Sequence, residues 1–394
     1  MPWKEMSMKS ERLEFVTLAI EEGANMSELC RRYGISRVTG YKWRDRFVCS
    51  GELGLEEQSR RPLSCPHQSP AETEDRIVAL RGEHPRWGGR KLRRLVQKEG
   101  LVKAPAASTV TKILSRHELL NEIDGAGQPR SFRRFERQSP NELWQMDFKG
   151  HVALGDGQRR CHPLSLLDDH SRFGLCLRAC GDERLETVQV ILIDVFRRYG
   201  LPQEMLMDNG APWGDEGGQP WTRLTAWLVR LGIKVTHCRP RHPQTQGKVE
   251  RWHRTMLAEL LCVMFGDLAE AQSAFDPWRE MYNTIRPHDA LDLGVPADRY
   301  RESERRYPET LPAIEYGSGV EVRKVQSRGE AYFKGYVLGV SKAFIGDRIG
   351  VCATTTEGVY EVRYCQHRVG QVDLRNKSKD GPPVRMDRRV IEGV

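Results

Sequence analysis

Apolar residues first recur at helical spacing near the N-terminus, at Leu13, Val16, Leu18, Ala19 and Ile20, and Gly23 supplies a stop. Ser27 is placed to cap a second short helix running through Leu29 to Tyr33, and Gly34 suits the left-handed residue at its end. Ser36 caps a third helix carrying Val38, Tyr41, Trp43 and Phe47. Helix, glycine-containing turn and helix is the helix-turn-helix pattern, which assigns residues 1–53 to such a domain. Residues 54–73 hold three prolines and little apolar periodicity, and read as a linker. The helical period returns over 74–122. Ile77, Val78 and Leu80 share one helix, Leu92, Leu95 and Val96 a second, and Ser108 opens a third with Val110, Ile113 and Leu114. This is a second helix-turn-helix domain, in a form that a winged variant also fits. A further linker covers 123–140.

From 141 to 305 the pattern changes to strands alternating with helices. Strands are expected at 143–148, 164–167 and 173–177, the last two joined by a hairpin turn at Asp168-Asp169-His170-Ser171. A helix at 185–199, with Val188, Ile191, Leu192, Val195 and Phe196 on one side, stops at Gly200. A short buried strand at 204–207 runs into Asp208-Asn209-Gly210, followed by a helix at 221–231, a strand at 233–238 and a long amphipathic helix at 249–264. The order β-β-β-α-β-α-β-α predicts an α/β domain, a mixed five-stranded sheet with helices packed on it. Over 312–373 helical periodicity disappears, and five short strands separated by glycine-rich turns predict a small all-β barrel of SH3-like size. Residues 374–394 are polar and basic and are expected to form a flexible tail.

Composition and charge sharpen this picture. The chain has 394 residues, 62 Lys plus Arg against 54 Asp plus Glu, a net charge of +8 and a pI near 9.0. The positive balance favours an anionic partner, nucleic acid first. No stretch approaches the ~18 uncharged apolar residues of a membrane span, and the first residues lack the apolar core of a signal peptide. Ten cysteines without a CxxC pair or regular spacing suit reduced thiols, so a cytoplasmic location without membrane association is expected. In the first domain Arg37, Lys42 and Arg44 lie on the helix that would enter the major groove. In the linker, Arg130, Arg133 and Arg134 belong to a run of four arginines against two acids, suited to lie along phosphates.

Three carboxylates carry the candidate chemistry. Asp147 lies in the first strand of the mixed sheet, where burial is costly unless the acid is paired or bound to metal. Asp208 ends another strand, and Glu250 lies in the first turn of the helix after the last strand. Sixty residues separate the first pair and forty-one the second, so only the fold can unite them. Three hard oxygen ligands without Cys or His suit Mg²⁺ or Mn²⁺, and two such ions about 4 Å apart can activate an attacking oxygen and stabilise a leaving one. Singly, each acid also has an ordinary explanation: an arginine partner for Asp147, an Asx turn for Asp208, and a helix N-terminal charge for Glu250.

The surrounding string changes the weighting. The run His242-Pro-Gln-Thr-Gln-Gly-Lys-Val-Glu250-Arg-Trp-His253 resembles the signature of the retroviral-integrase superfamily, through Pro243, Gln244, Gln246, Gly247 and Glu250. Trp144-Gln-Met-Asp147-Phe148, Asp168-Asp-His-Ser-Arg172 and Met207-Asp208-Asn-Gly210 follow the integrase core in order. With the N-terminal units, the chain resembles bacterial insertion-sequence DDE transposases. The resemblance implies an RNase H-like core whose Asp147, Asp208 and Glu250 hold two Mg²⁺ ions, with Mn²⁺ as substitute. It also implies cleavage at transposon ends, then attack of a 3′-hydroxyl on target DNA, by a homo-oligomer assembled on paired ends. The partners implied are therefore the terminal inverted repeats and the target duplex.

Gln246, Lys248, His253 and Arg254 are the residues beside Glu250 expected to meet DNA, His253 as an exposed phosphate contact rather than a catalytic base. The gap between the second and third acids is longer than the family's usual one, and Asp215 and Glu216 in the glycine-rich excess are candidate impostor ligands. The His-His-Cys-Cys spacing of a retroviral zinc domain is missing, so no zinc is expected. Two other classes remain in view: a sequence-specific DNA-binding regulator on an inactive integrase scaffold, and an RNase H-like nuclease that cuts without joining.

Overall fold

The computed structural model describes residues 8–57, 68–100, 104–120, 136–155, 157–214, 221–238 and 247–387. The chain divides into two compact units, Met1–Gln68 and Ser69–Val394.

The first unit holds α1 (Met8–Ala19), α2 (Met26–Arg32) and α3 (Arg37–Ser50), closed by a 3-10 turn at Gly51–Leu55. Phe15, Val16, Met26, Cys30, Trp43 and Leu55 form its core. Ser36 caps α3 by accepting the Thr39 amide at 3.1 Å, as the sequence predicts. The cap of α2 is Asn25 rather than Ser27: its Oδ1 accepts the Ser27 and Glu28 amides, and Ser27 lies inside the helix. Gly40 is where α3 crosses α2, since a Cβ there would stand 2.5 Å from Cys30 Sγ.

The second unit begins with α4 (Ala71–Glu83), α5 (Gly89–Lys98) and α6 (Ala107–Arg116), around Ile77, Leu80, Trp87, Leu92, Val96, Val110, Ile113 and Leu114. Helix α6 starts at Ala107 without a side-chain cap, so Ser108 is not its cap. No strand flanks these helices among the described residues, so the structure shows no wing.

Next come β1 (Leu143–Phe148), β2 (Val152–Ala153), β3 (Arg160–Asp168), β4 (Gly174–Cys180), α7 (Leu185–Tyr199), β5 (Glu204–Met207), α8 (Arg223–Arg230), β6 (Lys234–His237), α9 (Gly247–Glu259) and α10 (Leu268–Thr284). The strands form one mixed sheet, β2-β3-β1-β5-β6, with β4 also paired to β3. Strand β1 sits at its centre, antiparallel to β3 and parallel to β5. Successive side chains of a strand face opposite ways. Trp144 and Met146 accordingly join the core made with α7 and α8, while Gln145 meets α9. Trp252 and Met256 of α9 and Phe275 and Trp278 of α10 cover that second face. Met281 of α10 also packs on the α4–α6 core, and Arg90 pairs with Asp289 at 3.1 Å. The α4–α6 unit is therefore docked on the sheet domain.

The last segment holds β7 (Glu321–Lys324), β8 (Glu330–Phe333), β9 (Tyr336–Gly339), β10 (Arg348–Ala353), β11 (Val359–Tyr364), β12 (His367–Asp373) and β13 (Val384–Arg385), in two sheets, β12-β11-β10-β7 and β13-β9-β8. This is a small all-β domain of seven strands rather than five. One extra strand arises because residues 332–337 form a hairpin, turned by Lys334 and Gly335, both at positive φ. The tail is not loose over 374–387: Val384 and Met386 are buried, and β13 lies beside β9. Arg230 of α8 meets Asp347 at 3.2 Å, and Tyr364 donates to the same carboxylate, fastening the β domain to the mixed sheet.

Candidate active site

Three elements bring the predicted acids to one end of the sheet. Asp147 is the fifth residue of β1, opposite Ser165 of β3. Parallel pairing sets Gln145 of β1 level with Leu206 of β5, and the same register carried on two residues sets Asp208 level with Asp147. Asp208 follows β5 directly. Its Oδ1 accepts the Gly210 amide at 3.0 Å, and its carbonyl accepts from His237 Nδ1 at 2.7 Å. Glu250 stands on the exposed side of the first turn of α9, whose inner stripe is Val249, Trp252, His253 and Met256.

Charge ties the three acids together. Burial pushes the Asp147 carboxyl up to about 7, with the negative charges of Asp208 and Glu250 adding to the rise. Asp208 is also raised, first by burial and then by Glu183. The Cys238 thiol is pushed up to about 11 by burial and by Asp208, Asp147 and Glu250 together. Among the described residues, no group of three or more His, Cys, Asp or Glu is assembled to hold a metal ion. The donor chemistry nevertheless fits a hard divalent cation: all-oxygen side chains, with the charges of Asp208 and Glu250 hindering ionisation of Asp147.

Two of the residues expected to touch DNA have other places. His253 is buried rather than exposed. Its Nε2 meets Ser165 Oγ at 3.1 Å, its Nδ1 lies 3.8 Å from Asp147 Oδ2, and burial pushes its pKa down to about 3. A neutral imidazole beneath Asp147 is not a phosphate contact. The reason is helical spacing, because residues 249, 252, 253 and 256 form one face. Lys248 turns inward to Asp169, with only 17% of its side chain exposed, and is likewise not offered to DNA.

Arg254, Arg37 and Lys42 are exposed. Arg44 bonds Asp45 at 2.7 Å and lies 4.8 Å over the Tyr41 ring. Arg130, Arg133, Arg134, Gln246, Asp215 and Glu216 lie outside the described residues. Sequence reasoning gave no role to Gln145 or Ser165 and placed Asp169 only in the hairpin turn, and all three are buried. A polar residue at an inward strand position, as Gln145 is between Trp144 and Met146, was the available signal.

Comparison with known proteins agrees with this architecture. Residues 137–243 and 231–296 match integrase core domains, and 320–380 match the C-terminal domain of IS481 family transposases. Residues 9–56 and 39–114 match homeodomain-like domains. The insertion element IS476 uncharacterized 39.2 kDa protein of Xanthomonas euvesicatoria is 25% identical over 252 residues, 62% of this chain and 69% of that one. The insertion element IS407 uncharacterized 31.7 kDa protein of Burkholderia multivorans is 27% identical over 235 residues, 57% of this chain and 78% of that one. The HTLV-2 integrase catalytic core, solved with magnesium, aligns with 42% of this chain and 99% of its own, at 13% identity and a TM-score of 0.31. The chain is thus a multidomain protein in which helix-turn-helix units precede an integrase core and a small β domain. It carries an integrase core domain and an IS481 family transposase C-terminal domain, and it is similar to insertion-element proteins.

Proposed function

We propose that this chain is a DDE transposase that binds the terminal inverted repeats of its element, cleaves DNA there and joins a 3′-hydroxyl to target DNA. The observation that carries the reading is that Asp208 and Glu250 both raise the Asp147 carboxyl, and that all three acids act together on the Cys238 thiol. In this reading these three residues hold two Mg²⁺ ions, or Mn²⁺ in their place. Bound there, the ions would supply activation of the attacking oxygen and charge stabilisation for the leaving one.

The chain's own groups prepare the site. The sheet register holds Asp147 and Asp208 side by side, and α9 presents Glu250 at their edge. His253, neutral under Asp147, adds no positive charge that would compete for the carboxylate. Arg37 and Lys42 on α3, and Arg254 on α9, are exposed cations suited to phosphates. Joining two ends in one event calls for a homo-oligomer on paired ends, acting on DNA in the cytoplasm. Incubating the protein with an end-containing duplex, a target duplex and Mg²⁺ tests the reading. Joined product supports transposase chemistry, cut product alone supports a nuclease, and binding without product supports a regulator.

A further inference from the structure

The start of α9 poses a physical question. A helix leaves its first four amide N–H groups without intrahelical partners, and a cation in the first turn opposes the helix dipole. Helix α9 begins Gly247-Lys248-Val249-Glu250, with a lysine at that disfavoured place. Contacts from outside the helix meet the lysine and one of these amides. The Val249 amide donates to Gln145 Oε1 at 3.3 Å, and Gln145 is a β1 residue only 1% exposed. Gln145 Nε2 in turn donates to Asp169 Oδ1 at 2.8 Å, and the same carboxylate pairs with the Lys248 ammonium. Asp169 Oδ2 accepts the Arg137 amide at 2.8 Å, where the chain enters the sheet domain. A fully buried carboxylate is thereby satisfied by three donors.

The adjacent acid does something different. Asp168 accepts the Ser171 amide and hydroxyl with Oδ1 and the Asn141 amide with Oδ2, closing the turn between β3 and β4. Asp169 is the one that reaches α9.

We propose that Asp169, Gln145 and Lys248 are positioning residues that lock the first turn of α9 to β1 and so set Glu250 against Asp147. The geometry makes the link short. Gln145 lies two residues before Asp147 on the same side of β1, and Lys248 two residues before Glu250. One chain of polar contacts thus joins the strand that carries the first acid to the helix that carries the third. Helix α9 is otherwise held by its inner stripe, to which the first turn contributes Val249 alone, and this cluster adds the polar hold on that turn.

The inference rests on the reading of Glu250 as a catalytic carboxylate, so its test has one arm that does not need catalysis. In the full chain, Gln145→Met and Lys248→Met keep side-chain length and lose the polar link. Hydrogen exchange at the amides of residues 248–250 should speed up at least about tenfold, with β3 and β4 unchanged. Single-turnover cleavage of an end duplex should slow by about 10- to 100-fold while the Kd for the end stays the same. Lys248→Arg, which can still pair with Asp169, should restore most of the rate. Should Gln145→Met melt early, Lys248→Met carries the test from its part-exposed position. Unchanged exchange in the first turn overturns the proposal, as does faster exchange with an unchanged rate. Loss of end binding in step with the rate also overturns it, since that would make Lys248 a DNA contact. If the wild type itself does not cleave, the catalytic reading falls and the exchange arm alone decides the anchoring.

Discussion

Gly174→Ala should damage both stability and cleavage, and the size of each effect follows from the packing. Gly174 opens β4, and a Cβ there would lie 1.9 Å from Cη2 and 2.3 Å from Cζ3 of Trp252. Carbon atoms in contact sit about 3.5–4 Å apart, so ring and strand must separate by about 1.5–2 Å. The strand cannot yield cheaply. Asn283 grips the Gly174 backbone from both sides, accepting its amide at 2.7 Å and donating to its carbonyl at 3.0 Å, and Arg279 donates to that carbonyl as well. The ring is boxed in turn by Trp278 and Tyr282, with centroids at 5.4 and 4.3 Å. The strain therefore passes into α9, two residues from Glu250.

Overpacking of this kind costs about 1–3 kcal/mol, which lowers the melting temperature of a domain this large by about 2–10 °C. A shift of about 1 Å in a reacting geometry can cost about 100-fold in rate. Differential scanning fluorimetry and single-turnover cleavage of an end duplex read the two effects. Gly82→Ala, in open space on α4, serves as the control and should be neutral or slightly stabilising. A Gly174→Ala protein with wild-type melting and wild-type cleavage would refute the claim that α9 is seated through Trp252.

Because the Asp147 carboxyl sits near 7 when folded, against 3.8 for a free one, its ionisation opposes folding in metal-free protein. Relative to Asp147→Asn, the wild type should lose stability as pH rises from about 4 to 7 and level off above, and thermal melts across that window check it. End binding should weaken steeply with salt. If about six Lys or Arg side chains displace counterions, log K against log salt should have a slope near −5, and a slope near zero in a titration by fluorescence anisotropy would contradict phosphate contact by the basic segments. Removing residues 1–68, the whole of the first compact unit, should abolish preference for the transposon end while leaving metal-dependent, sequence-blind cutting. Specific binding commonly exceeds non-specific binding by about 10³-fold or more, so competition against scrambled DNA will show whether the preference has gone.

Much of this architecture was legible because single elements announce themselves. Helix α7 matches its expected span, with its apolar stripe intact and Gly200 at positive φ as its stop. The strands that carry or precede Asp147 and Asp208 were equally plain. Failures arose where distant residues decide the outcome. Lys248 reads as a free cation until the fold brings Asp169 to it across 78 intervening residues. The β8–β9 hairpin was missed because Lys334-Gly335 lacks the Asn-Gly signal of tight turns. The polar, basic composition of residues 374–394 points to a flexible tail, yet alternation seats Val384 and Met386 on the β core. His253 is a different case: its place on the buried stripe of α9 was readable from spacing alone, and the expectation of exposure followed the resemblance instead.

Whether Asp147, Asp208 and Glu250 act as one metal-holding set is read directly by single-turnover cleavage of an end duplex in Mg²⁺ by Asp147→Asn, Asp208→Asn and Glu250→Gln, with end binding measured alongside. Each substitution keeps shape and removes charge. Cleavage should be lost in all three, with end affinity close to wild type. Cleavage at near wild-type rate by any one of them would remove that residue from the site and break the set.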